Sequence, residues 1–106
     1  MGARAVRRDT LDELVVSFCK DFARRERMIL RNDISHRTKV ELKYINYKLS
    51  EAAREIVGDD FATYINEIGE SVGYAKTKLC DVSEVTYKLR KAEVKANIAK
   101  KLHLTD

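Results

Sequence analysis

Apolar residues recur along this chain at intervals of three and four, the period of an α-helix. Leu11, Leu14, Val15, Phe18, Cys19, Phe22 and Ile29 form a first stripe, opened by Thr10-Leu11-Asp12-Glu13 at capping-box spacing. Arg24, Arg25, Arg27 and Arg31 fall on the back of that helix, and Asn32-Asp33 marks a break. A second stripe, Leu42, Ile45, Leu49, Ala52, Ala53 and Ile56, starts after Ser35 or Thr38 and ends at Gly58, placed as a C-terminal cap. Asp59 or Asp60 then opens a short third helix with Phe61, Tyr64, Ile65, Ile68 and Val72 inward, stopping at Gly73. A further short element follows from Ala75 or Lys76, and a long helix runs from about Ser83 to Leu102. This last helix shows two stripes. Val85, Leu89, Ala92, Ala96 and Ala99 make one, and Tyr87, Val94, Ile98 and Leu102 the other.

Helices apolar on two faces pack from more than one side, which points to a second subunit. No alternating run is bounded by turn dipeptides, so strands are not expected. The pattern predicts an all-α fold, a compact bundle of four to five helices forming one domain over residues 1–106, with residues 1–8 a loose basic arm. Its core is expected to hold Phe18, Phe22, Leu42, Ile45, Leu49, Phe61, Ile65, Ile68 and Leu89.

Composition narrows the class. Of 106 residues 44% are hydrophobic and 36% charged, proline and tryptophan are absent, and glycine occurs four times. Such a chain is neither collagen-like nor a disulfide scaffold. No apolar run exceeds three residues, so no membrane span is expected. The basic N-terminus lacks the apolar segment of a secretory signal, and Val6 stands where a myristoylation signal needs Ser or Thr. Cys19 and Cys80 lie far apart without a CxxC partner, the pattern of two buried thiols in a reducing cytosol.

Charge is distributed in blocks. The net charge is +4 overall, but residues 1–48 hold twelve basic and seven acidic side chains, residues 49–73 one and six, and residues 74–104 eight and three. Two basic blocks thus flank an acidic one, and a local field of this kind steers anionic partners where a small net charge does not. Within the first block, Lys43-Tyr44-Ile45-Asn46-Tyr47-Lys48 alternates cations with aromatic rings. Such alternation can stack nucleic-acid bases. The spacing here places the rings at the edges of the helix stripe, so packing is the expectation.

Catalytic and cofactor chemistry is poorly represented. His36 and His103 are the two histidines, neither beside a recognisable nucleophile motif. The glycines form no phosphate loop, and Asp59-Asp60 is explained by capping. The expectation is a protein that is not an enzyme, with no cofactor and no metal site.

Residues 65–82 read Ile-Asn-Glu-Ile-Gly-Glu-Ser-Val-Gly-Tyr-Ala-Lys-Thr-Lys-Leu-Cys-Asp-Val. Gly69 supplies the small residue where a second helix crosses the first, and Gly73 suits a turn at positive φ. Ile68, Val72, Leu79 and Val82 are placed to seal the pair. This segment resembles the helix-turn-helix of DNA-binding proteins. The family usually has alanine at the position of Gly69 and an aliphatic residue at that of Tyr74, and Asp81 puts a negative charge near the expected phosphates. The resemblance implies a transcriptional regulator of double-stranded DNA, working as a homodimer with reading heads about 34–36 Å apart. Lys76, Thr77, Lys78 and Asp81 would lie on the recognition helix, with Lys88, Lys91 and Lys95 of the last helix holding phosphates.

More loosely, Tyr44–Leu49, Glu67–Glu70 and Asn97–Leu104 are similar to segments of small helical phage and prophage proteins, which implies a bacterial or phage-encoded, cytoplasmic setting. The alternative is a non-enzymatic structural or protein-interaction module that forms an oligomer, with residues 73–82 merely connecting helices.

Overall fold

A computed structural model describes residues 8–105, with side-chain environments from Thr10 onward. All regular structure among the described residues is helical: α1 (Arg8–Lys20), α2 (Phe22–Ile29), α3 (His36–Val57), α4 (Phe61–Gly69) and α5 (Glu84–Lys101), with short 3₁₀ turns at Gly58–Asp60 and Tyr74–Lys76. The expected basic arm falls outside the described residues except for Arg8, which opens α1. Thr10 therefore lies inside the helix it was expected to cap, because α1 begins two residues earlier.

The two long helices start as their sequences dictate. Ser35 caps α3, its Oγ accepting the Thr38 N–H at 3.2 Å, and Ser83 caps α5 in the same way from the Thr86 N–H at 3.2 Å. Gly58 closes α3 at φ 61°, a conformation that favours glycine.

The first stripe does not form one helix. It breaks at Asp21, whose N–H reaches the Ser17 carbonyl at a long 3.4 Å. Opening the ladder there frees the Phe18 carbonyl, and the Arg25 guanidinium turns in to donate to it. Arg25 Nε also donates to Asn46 Oδ1 at 2.6 Å, while Asn46 Nδ2 donates to the Phe22 carbonyl and to Glu26 Oε2, both at 3.0 Å. Arg25, expected on the solvent side with Arg24, Arg27 and Arg31, is thus buried, because a guanidinium can satisfy several acceptors at once. This clasp joins α2 to the first half of α3.

Val15, Cys19, Phe22, Leu49, Ala52, Ala53, Ile65, Ile68, Val94, Ile98 and Ala99 make the core, with α3 packed on α5, α4 and α2 and α1 lying on α4 and α5. Of the expected core, Phe18, Ile45 and Phe61 pack against its edge, and Leu42 is half-buried. Leu89 is not in it. Of the two stripes on α5 the core takes Tyr87, Val94 and Ile98, and turns Leu89 outward at 57% exposure and Val85 at 79%. Ala92 and Ala96 are exposed beside them. No helix of the described residues is long and apolar enough to cross a membrane.

Candidate nucleic-acid interface

The segment expected to read DNA begins where α4 ends. Glu70 closes the helix, Ser71 takes φ 57°, and the Val72 N–H returns to the Glu67 carbonyl at 3.0 Å, a hydrogen-bonded reversal that usually places glycine where Ser71 stands. Gly73, expected at positive φ, is extended at φ −87° and ψ 170°. The left-handed residue lies two positions earlier, because the reversal follows the helix end at Gly69 directly.

A single 3₁₀ turn, Tyr74–Lys76, comes next, and residues 77–83 then run to the Ser83 cap without helix. The expected second helix over residues 75–82 is therefore absent, and the reason lies in one carboxylate. Glu67 on α4 is buried. It accepts the Thr77 hydroxyl at 2.6 Å, the Lys78 N–H at 2.8 Å and the Tyr87 hydroxyl at 2.7 Å. A Lys78 N–H given to Glu67 is withheld from any helical ladder. Thr77 Oγ1 in turn accepts the Leu79 N–H at 3.1 Å, and the Tyr74 hydroxyl donates to the Val82 carbonyl at 2.7 Å. Side chains have taken over the bonding that a recognition helix would make with its own backbone, and the result is a strap.

Burial pushes the Glu67 carboxyl up, but the Lys78 N–H, the Thr77 and Tyr87 hydroxyls and the nearby Lys91 outweigh it and hold the group below its ordinary range. Tyr87 is pushed up to about 12, by burial first and then by its bond to Glu67. Gly69, expected to admit a second helix, instead admits α1. A Cβ built there would come within 2.6 Å of the Lys20 backbone nitrogen and 2.7 Å of the Cys19 carbonyl carbon.

The expected DNA contacts fare unequally. Lys76, Lys78 and Asp81 are exposed, whereas Thr77 is committed to Glu67. Lys88 is exposed and paired with Glu84 at 2.8 Å. Lys91 bends inward, donating to the Val72 carbonyl at 2.7 Å with its ammonium 5.0 Å from the Tyr87 ring centroid, and Lys95 pairs with Asp12 at 2.8 Å. Lys88, Lys91 and Lys95 therefore do not form one free basic face. Beneath the strap lies an open cavity of about 370 Å³, bounded by Lys78, Asp81, Asp60, Tyr64 and Arg90, with Cys80 at its edge. Cys80 is exposed, against the expectation of two buried thiols, because the strap carries it outside the core.

Sequence reasoning assigned no role to Glu67 beyond its charge, and no local signal pairs it with Thr77 or Tyr87. The Tyr44 and Tyr47 rings, expected to pack, are exposed at 54% and 60% beside Val40 at 50%. The first half of α3 uses its opposite face, with Ile45 and Asn46, against α2. Lys48 Nζ lies 5.6 Å from the Tyr44 ring centroid and 6.0 Å from that of Tyr47. Among the described residues no three His, Cys, Asp or Glu side chains gather as metal ligands would. No family model, curated protein or solved structure matches the chain.

Proposed function

We propose that this chain is a non-enzymatic helical interaction module that self-associates through the outer face of α5. The observation that carries the reading is the exposed row Val85, Leu89, Ala92 and Ala96. Its four-three-four spacing is that of a coiled-coil seam, and the two alanines let a second helix approach closely. Lys88 and Glu93 flank the row on opposite sides, five residues apart, the spacing at which two parallel helices exchange a Lys–Glu pair across the seam in both directions. From Val85 to Ala96 the row runs about 17 Å along the helix axis.

Sedimentation equilibrium at micromolar concentration tests this. The expected mass is twice 12.2 kDa, and Leu89→Lys should halve it while leaving helical content unchanged. A wild-type monomer overturns the proposal.

Duplex DNA binding is the second reading, favoured by the exposure of Lys76 and Lys78 on one strap. Loop cations hold phosphates without reading bases, so binding would be non-specific, with a dissociation constant on the order of 10⁻⁴–10⁻⁶ M at physiological salt and steep salt dependence. Lys76→Glu with Lys78→Glu should abolish it. A random duplex that gives no anisotropy change at low salt removes this reading.

A further inference from the structure

We propose that the outer face of α3 binds single-stranded nucleic acid, with Tyr44 and Tyr47 stacking bases and Lys43, Lys48 and Arg37 holding the backbone. Val40, Tyr44 and Tyr47 stand at i, i+4 and i+7 on one helix face, each at least half exposed, so the row is apolar, aromatic and uncovered. The two tyrosines are separated by about 4.5 Å along the axis, at 1.5 Å per residue, which brings both rings onto one patch. Every nucleobase offers a π-face to such rings, and the contact tolerates any sequence.

Charge decides the class of occupant. On the first part of α3, residues 36–48, four basic side chains (Arg37, Lys39, Lys43 and Lys48) stand against one acidic side chain, Glu41. Lys43 and Lys48 lie on the two flanks of the row, and Arg37 stands about one turn before Val40. Lys43 enters no ion pair among the described residues. Two carboxylates border the row: exposed Glu41 lies 3.9 Å from Arg37, and Glu51, which accepts the Tyr47 hydroxyl at 3.3 Å, is countered by Lys48 at 3.9 Å and by Lys101 at 3.5 Å. The apolar row ends at Arg37 on one side and Glu51 on the other, so it covers only about two helical turns. Two or three unpaired bases fit this length, and the cations around the row favour a polyanion over an apolar helix. A duplex hides its base faces and would leave the rings unused.

The test is fluorescence anisotropy of labelled oligo-dT and oligo-rU, with a duplex of equal length alongside, at low and high salt. Both single strands should bind more tightly than the duplex and weaken as salt rises, and tyrosine emission should be quenched on binding. Tyr44→Ala and Tyr47→Ala should each weaken binding about tenfold, while Tyr44→Phe with Tyr47→Phe retains it, since the ring rather than the hydroxyl stacks. Lys43→Glu with Arg37→Glu should abolish binding. Lys76→Glu with Lys78→Glu should leave it unchanged, which separates this face from the strap, and Leu89→Lys should leave each chain competent, which separates it from self-association. No binding by either single strand, or undiminished binding by both the Tyr44→Ala and the Tyr47→Ala variants with their helical content intact, overturns the proposal.

Discussion

Glu67 is a carboxylate taken out of water and kept ionised by its neighbours. Three donors converge on it, from Thr77, Lys78 and Tyr87, and hydrogen bonds to a charged group contribute about 1.5–3 kcal/mol each. Glu67→Gln replaces one acceptor oxygen with an NH₂ that must face a donor, so we expect a loss of about 2–3 kcal/mol in urea unfolding. The acid limb of stability should change too. A carboxyl held below its unfolded value near 4.3 contributes fully above that pH, and the contribution is lost as pH falls through the folded value. Urea midpoints at pH 7 and near pH 4 should therefore differ less in Glu67→Gln than in the wild type. An equal difference in both proteins would show that other carboxylates govern the acid limb.

At the scale of elements, what the sequence made legible was periodicity and capping. Ser35 and Ser83 cap the long helices, and Leu49, Ile65 and Ile68 are buried as their stripes require. The misplacements share a physical cause. A stripe states that a face is apolar, and only tertiary packing decides which of two stripes on α5 is covered, so Leu89 was assigned to the wrong side. Gly69 does admit a close crossing, but the helix that crosses is α1, fifty residues away in sequence. Local spacing carries no information about that. Gly69→Ala should be strongly destabilising although alanine is the better helix former by about 1 kcal/mol, because its Cβ meets the α1 backbone, which cannot swing aside as a side chain can. Ser71→Gly should act oppositely, raising stability by about 0.5–1 kcal/mol by relieving a left-handed residue. Thermal unfolding of the two variants checks both signs.

The molecule is a slab of 43 × 43 × 21 Å rather than a sphere. Within it, the Arg25–Asn46 clasp holds α2 to α3. Asn46→Ala leaves the Arg25 guanidinium and the Glu26 carboxylate short of a partner. Amide exchange should then quicken first in residues 22–29, while α4 and α5 keep their protection. Uniform acceleration across all helices would mean that the clasp stabilises the whole core at once.

The strap has a practical consequence for following the protein in solution. It carries Cys80 at the surface, while Cys19 is sealed between helices, its thiol pushed up to about 12 by burial. Thiolate, not thiol, attacks alkylating reagents. A maleimide dye should therefore attach to one cysteine in the native chain and to both after denaturation, which gives an unmutated molecule a single labelling site beside the cavity and a mass-spectrometric clock for its unfolding.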